Sequence, residues 1–280
     1  MPMSKRYIKA EKWNVPEPLQ YLDVFGLHKL YDAIAFKANL ILAGPPGIGK
    51  TLSVASWCQK HAVPLIPFDC SEDVRRAQLY GARTIEDGSS PFLLGAIPTA
   101  IEVANDVGMA VLNLEEINAL KPANQKGLNS ITDFRRALAL QEAEEVYRLK
   151  KNSKLWIVGT MNFAVYGGVY ALNNDLRSRF RIYPLRYPTA ENEKKIVVEV
   201  LGTDGAGAPY IDKVILLAHQ TRQEALEYQL ATRDVVQIIQ DIGNAGLETA
   251  MRLALGKFDG SDQQTFASWV TSIFNIDLSL

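Results

Sequence analysis

The chain has 280 residues, 48% of them hydrophobic and 22% charged, with 30 Lys and Arg against 31 Asp and Glu. That composition belongs to a globular protein with a sizeable core and excludes a disordered one. A formal net charge of −1 removes any global electrostatic pull toward nucleic acid or an anionic membrane.

Two cysteines, Cys58 and Cys70, without a CxxC pair, argue against a disulfide framework and for a reducing, cytoplasmic setting. His28, His61 and His219 lie too far apart, and too far from either cysteine, for a zinc-ligand pattern. No apolar run reaches the ~20 residues that span a bilayer, so no membrane association is expected.

In chain order, residues 1–30 form an irregular lead-in marked by Trp13, Pro16 and Pro18. Short apolar runs at 39–43, 65–70, 109–114, 155–159 and 181–185 then alternate with helical stretches. Such alternation predicts a parallel α/β sheet, buried on both faces, over 31–187. Beyond Pro188 the periodicity turns helical: Ile211, Val214, Ile215 and Ala218 recur at helical spacing, as do Val235, Ile239 and Ile242. A small all-α domain is therefore expected over 188–280, with a glycine-rich loop at 202–209. Ser261 and Gln264 read as a capping box opening a helix that carries Phe266, Trp269, Val270 and Ile273.

The strongest chemical signal is Gly44-Pro45-Pro46-Gly47-Ile48-Gly49-Lys50-Thr51, followed by Leu52. It satisfies G-x-x-x-x-G-K-[ST] between a predicted strand and a predicted helix. Glycines let such a loop curl so that successive N–H groups face phosphate oxygens, and the helix behind it adds its positive end. Lys50 would reach the β- and γ-phosphates, and the Thr51 hydroxyl would meet Mg²⁺. At the end of the third apolar run, Val111-Leu112-Asn113-Leu114-Glu115-Glu116 supplies two carboxylates. Glu115 suits the metal's coordination shell, and Glu116 suits polarisation of the water that attacks the γ-phosphate. Asn113 is an unusual polar residue for a buried strand.

These motifs resemble the AAA+ ATPases, in particular the MoxR branch with its CbbQ/NorQ group. The resemblance spans nearly the whole chain. It rests on the phosphate loop, Glu115-Glu116-Ile117-Asn118, Ile131-Thr132-Asp133-Phe134-Arg135-Arg136, Gly159-Thr160-Met161-Asn162, Asp175-Leu176-Arg177-Ser178-Arg179-Phe180 and Ala231-Thr232-Arg233. It implies a P-loop NTPase sheet flanked by helices and followed by a helical lid. It also implies ATP and Mg²⁺ as ligands and a homo-oligomeric ring, usually a hexamer, with ATP sites between subunits. Position 115 is Glu where the family has Asp. Asn162 matches sensor 1 and Arg233 matches sensor 2. Arg179 matches the arginine finger, with Arg177 the alternative and Arg181 only two residues further on. Hairpin insertions are implied near 84–98, punctuated by Gly88-Ser89, and near 138–155. Phe92 in the first of these is a candidate client contact. Residues 24–27 are expected to border the adenine.

The function implied is an ATP-driven remodeller or activator of a protein partner, which in this family carries a von Willebrand factor A domain on a separate chain. Gly-Thr-Met-Asn also resembles McrB-like restriction subunits, which predicts nucleic-acid-stimulated turnover, although no DNA-binding module is recognisable. A metal-chelatase subunit would respond to a porphyrinoid. A switch that binds ATP without hydrolysing it would have little use for Glu116 and a finger arginine.

Overall fold

A computed structural model describes residues 5–16, 19–85, 90–162 and 170–278. Pro18 and the Gly88-Ser89 turn therefore lie outside the described residues. The chain divides into two compact units. One takes Leu27–Gly44 and Lys50–Leu185 with the N-terminal segment, and the other takes Gln20–Gly26, Pro45–Gly49 and Arg186–Leu280.

The first unit runs β1 (Lys5–Arg6), α1 (Leu27–Ile34), β2 (Asn39–Ala43), α2 (Lys50–Lys60), β3 (Leu65–Asp69), α3 (Arg76–Tyr80), β4 (Gly81–Arg83), β5 (Phe92–Leu94) and α4 (Ala96–Val107). It continues through β6 (Met109–Glu115), α5 (Pro122–Gly127), α6 (Asn129–Thr132), β7 (Ala137–Leu140), β8 (Glu145–Arg148), β9 (Lys154–Met161), α7 (Asn174–Arg177) and β10 (Phe180–Pro184).

Five strands make the central sheet in the order β10-β2-β9-β6-β3, and every neighbouring pair is parallel. All five residues of β2 are buried, which explains its unbroken apolar sequence apart from Asn39. Ile41, Leu112, Leu114 and Ile157 pack with Ile97, Ile101 and Ala104 of α4 in one core. Elsewhere in the unit Trp156 meets Tyr31 and Trp57 edge-on, with ring centroids 5.4 and 5.3 Å away. Because all five strands run one way, residues that follow β2, β6 and β9 emerge at one end of the sheet. Residues that precede β2 and β10 lie at the other.

Antiparallel strand pairs lie in both regions where hairpins are implied, with limits that differ from those expected. β4 pairs antiparallel with β5, so the first hairpin starts at Gly81, and residues 96–98 already belong to α4, whose first turn tolerates Pro98. β1 adds in parallel on β5. The second hairpin is β7 with β8, and residues 154–155 open the central strand β9. Phe92 is 1% exposed within the core, which corrects its expected role as a client contact. Gly81 approaches it so closely that a Cβ there would lie 2.5 Å from its ring. Cys58 and Cys70 are free and buried, and burial pushes the Cys58 thiol up to about 12.

The second unit, from residue 186 onward, is helical: α8 (Ala190–Leu201), α9 (Ile211–Gln223), α10 (Thr232–Ala245), α11 (Leu247–Leu255) and α12 (Gly260–Phe274). The expected helical spacings bury Val214, Ile215, Ala218, Val235, Ile239 and Ile242 against Phe258, Phe266 and Val270. The capping box at Ser261 is not formed. Asp259 holds the N-cap position, and Ser261 sits inside the first turn with its carbonyl accepting from the Thr265 hydroxyl.

At the centre of this unit Glu193, 0% exposed, accepts from both terminal nitrogens of Arg222 at 2.9 and 2.8 Å. It also accepts from the Thr232 hydroxyl at 2.7 Å and lies 3.1 Å from His219 Nε2. The Arg222 Nε donates to the Leu230 carbonyl at 2.8 Å. The pair thus ties α8 and α9 to the segment that opens α10. Among the described residues no helix is long and apolar enough to cross a membrane.

Candidate nucleotide site

In the first unit β2 ends at Ala43 and hands the chain to the phosphate loop, whose Gly44 amide donates to the Met161 carbonyl at 3.1 Å. Helix α2 begins at Lys50 and has no acidic residue in its first turn. A cation there opposes the helix dipole unless an anion joins it. The Lys50 ammonium, only 8% exposed, donates to the Gly44 carbonyl at 2.8 Å and to Asn162 Oδ1 at 3.0 Å. Asn162 follows β9, and its Nδ2 donates to Glu116 Oε1 at 3.3 Å. Asn118 holds the Asn162 carbonyl at 3.0 Å.

Glu115 ends β6. Its Oε2 accepts from the Thr51 hydroxyl at 3.0 Å and its Oε1 from Asn113 Nδ2 at 3.2 Å. Residues two apart on a strand share a face, so the buried Asn113 steadies the longer glutamate arm from its own strand. Burial raises the Glu115 carboxyl above its ordinary value. The Thr51 and Asn113 bonds oppose that rise, while the nearby charges of Asp69 and Glu116 add to it. Such a carboxylate gains from a cation beside it. Hydroxyl and carboxylate oxygens are the donor types Mg²⁺ takes. Among the described residues no set of three or more His, Cys, Asp and Glu could hold a metal by itself. A metal that keeps most of its waters fits these two oxygens.

Glu116 is exposed and adopts φ 52° and ψ 46°, a left-handed conformation uncommon outside glycine. Its amide donates to the Thr160 hydroxyl at 3.2 Å.

The remaining loop residues, Pro45–Gly49, group with the second unit. Gly47 has φ +68°, and a Cβ there would lie 2.6 Å from the Ala231 Cβ, so only glycine fits. Gly49 has φ +89°. Pro45 and Ile48 are buried and Pro46 is exposed. Arg233, the second residue of α10, donates its amide to the Gly47 carbonyl at 3.2 Å and has an exposed side chain. The N3 residue Asp234 accepts from the Ala231 amide at 2.8 Å and from Lys257, which fixes this helix start. Leu52, half-buried, lies in the first turn of α2.

The finger candidates lie elsewhere. Arg179 immediately precedes β10, and Phe180 pairs with Asn39 while Pro184 pairs with Ala43. Gly44 is therefore level with Leu185, six residue steps and about 20 Å of strand from Arg179. Arg179 lies 3.6 Å from Asp133 Oδ2. The same carboxylate accepts from the Arg135 guanidinium at 2.6 Å, which holds Asp133 below its ordinary value, helped by its bond with the Arg135 amide. Arg136 donates to Asn39 Oδ1 at 3.0 Å. Arg135 and Arg136 follow the end of α6. Arg177 ends α7 and is exposed.

Lys50, Thr51, Glu115, Glu116 and Asn162 thus meet, and Arg177 and Arg179 do not join them. Asn113 and Asp133 have contacts that sequence reasoning did not assign. Asn113 carried a signal as a polar residue in an apolar strand, whereas Asp133 stood in a family-like run with nothing to mark its partners.

A parallel sheet with a phosphate loop after β2, an asparagine after the adjacent β9 and two carboxylates at the end of β6 beyond it defines a P-loop nucleoside triphosphatase. Residues 39–180 match the AAA domain family, dynein-related subfamily, and the chain belongs to that family. It is an AAA+ ATPase of the CbbQ/MoxR type. It is 26% identical over 204 residues to the protein CbbQ of Hydrogenophilus thermoluteolus, covering 73% of this chain and 74% of that one. It is 30% identical over 172 residues to the uncharacterised Bacillus subtilis protein YojN, covering 60% of this chain and 55% of YojN, so the match spans just over half of YojN's length. In fold alone it is similar to a solved Cytophaga hutchinsonii protein provisionally called an ATPase, with a TM-score of 0.50, 16% identity and coverage of 81% and 76%.

Proposed function

We propose that the chain is the subunit of a homo-oligomeric ring that hydrolyses ATP at sites shared between neighbouring copies, and that it uses the cycle to remodel or activate a protein partner. One observation supports the shared-site reading: Lys50, Asn162 and Glu116 meet at one end of the sheet, and Arg179 stands about 20 Å of strand away at the other. That is further than an arginine side chain extends, so Arg179 is suited to another copy's phosphate.

In this reading Gly44, Pro45, Pro46, Gly47, Ile48, Gly49 and Leu52 belong to the cradle for the nucleotide. Lys50 exchanges its bonds to Gly44 and Asn162 for the β- and γ-phosphates. Thr51 and Glu115 would hold Mg²⁺, which when bound neutralises phosphate charge. Glu116 accepts the proton of the attacking water at its carboxylate, and Asn162 orients that carboxylate through its Nδ2. Arg233 offers a cation from the start of α10 beside Gly47. Arg179 of the next copy neutralises charge developing on the γ-phosphoryl group, with Arg177 the alternative. Because Asn162 bonds both Lys50 and Glu116, arrival or loss of the γ-phosphate at Lys50 alters the restraint on Glu116, a local change of the kind that drives larger ones.

The test is Mg-ATP hydrolysis per subunit across a wide range of protein concentration, with Glu116→Gln and Arg179→Ala beside the parent chain. Specific activity should rise with concentration and collapse in both variants. Activity that is flat with concentration and indifferent to Arg179→Ala would remove the shared-site reading.

A further inference from the structure

Phe134 is 93% exposed, more than any other large apolar side chain among the described residues. The backbone around it is pinned. Asp133 Oδ1 accepts from the Arg135 amide at 2.9 Å, both Asp133 oxygens accept from the Arg135 guanidinium, and Arg136 takes φ +43° while its guanidinium turns inward to Asn39. With Asp133 half-buried and Arg136 bonded inward, the turn presents Phe134 outward. A ring left in water gives up the stabilisation of burial, and a turn built to hold it there points to a surface that covers it. Asp133 also lies beside Arg179. One carboxylate therefore sets the position of the aromatic turn and of the arginine whose phosphate lies outside its own subunit.

We propose that Phe134 is the apolar anchor of a head-to-tail interface, in which this end of the sheet docks on the opposite end of a second copy of the chain. The proposal rests on the shared-site reading and names the contact that holds the copies together. Charge complementarity identifies the occupant. Beside Phe134 stand its chain neighbour Arg135 and Arg179, which lies 3.6 Å from Asp133, while the other end of the same sheet carries the exposed Asp69 and Glu116 and the half-buried Glu115, where ATP, on the proposed function, would add further negative charge. Each copy thus offers both halves of the contact on different surfaces, which is a heterologous interface. Phenylalanine and arginine are also both enriched at protein interfaces.

The experiment compares the full-length parent chain with Phe134→Ala, Phe134→Asp, Phe134→Trp and Arg179→Ala. It reads specific ATPase activity against protein concentration, and sedimentation velocity with a non-hydrolysable ATP analogue. Thermal unfolding of each variant reports folding, which a side chain this exposed should leave unchanged. Phe134→Ala should displace the midpoint of the activity and assembly curves to about ten- to thirtyfold higher protein concentration. Phe134→Asp should displace it further, and Phe134→Trp should keep it within a few fold of the parent. If both Phe134→Ala and Phe134→Asp match the parent midpoint while Arg179→Ala is inactive, the anchor is wrong and the shared-site reading survives. If the parent itself shows no concentration dependence and Arg179→Ala retains activity, both fall.

Discussion

Asn162 restrains Glu116 with one end of its amide, at 3.3 Å, while the other end accepts from Lys50 at 3.0 Å. The amide is therefore a link between the group suited to sensing phosphate and the carboxylate suited to activating water. Both bonds come from a single residue directly behind β9, so one substitution interrupts both.

Asn162→Ala should leave ATP binding within a few fold of the parent and lower the single-turnover hydrolysis rate by about 10²-fold, the scale of a misplaced general base. Fluorescent-nucleotide titration and quenched-flow measurement separate the two. A large loss of binding with an unchanged chemical step would contradict the link.

Asn113 is buried, and its amide reaches Glu115 rather than the strand ladder. In Asn113→Leu the longer glutamate arm loses its restraint, and Mn²⁺ binding to the nucleotide-loaded protein, read by electron paramagnetic resonance, should weaken about tenfold, as for loss of an outer-shell partner. Glu115→Asp in the parent strand should weaken it too, because the shortened carboxylate no longer reaches from the same position.

Gly47 combines a positive φ with a Cβ position 2.6 Å from that of Ala231. Gly47→Ala should cost about 1–2 kcal/mol from backbone conformation alone, with loss of nucleotide affinity as the loop shifts. The double variant Gly47→Ala with Ala231→Gly removes the collision and not the backbone strain. It should recover part of the affinity in calorimetric titration, and no recovery would show that packing against Ala231 is unimportant.

In the second unit Glu193 is fully buried and Arg222 nearly so. Removing one partner strands a buried charge, so Arg222→Leu should destabilise by about 3–5 kcal/mol in chemical denaturation. Removing both together, as Glu193→Leu with Arg222→Leu, should cost less than the single change. Since Thr232 and Leu230 hang on the same pair, the single variant should also weaken nucleotide binding through the segment that meets Gly47.

Mixing two inactive variants gives a separate check on shared sites. A Glu116→Gln subunit retains Arg179, and an Arg179→Ala subunit retains Glu116, so a mixed assembly contains some interfaces with both groups intact. An equimolar mixture should recover measurable turnover, roughly a quarter of interfaces being intact if copies mix at random across a heterologous contact. Substituting Arg177→Ala for Arg179→Ala in the same mixture tells which guanidinium is required.

Much of the first unit was legible because buried parallel strands leave continuous apolar runs, and because the phosphate loop fixes what must stand before and after it. Glu115, Glu116 and Asn162 were findable for the same reason: each directly follows or ends such a run. What depended on partners distant in sequence was not legible. β1 pairs with β5 across more than eighty residues, and Phe92 looked exposed between turn residues until that pairing buried it. Glu193 and Arg222 lie 29 residues apart, and nothing local marks either as buried. The Asp133 clamp joins residues from α6's end and β10's start, which become neighbours only because β10 lies beside β2. The capping box at Ser261 failed for a local reason: Asp259 already stands at the cap, two residues earlier.

The left-handed backbone at Glu116 has an evolutionary consequence. Glycine or asparagine would relax that residue by about 1 kcal/mol, and either would delete the carboxylate. If Glu116 activates the attacking water as proposed, selection for heat resistance alone would favour those residues at the expense of turnover, so the strained backbone here sets robustness against chemistry.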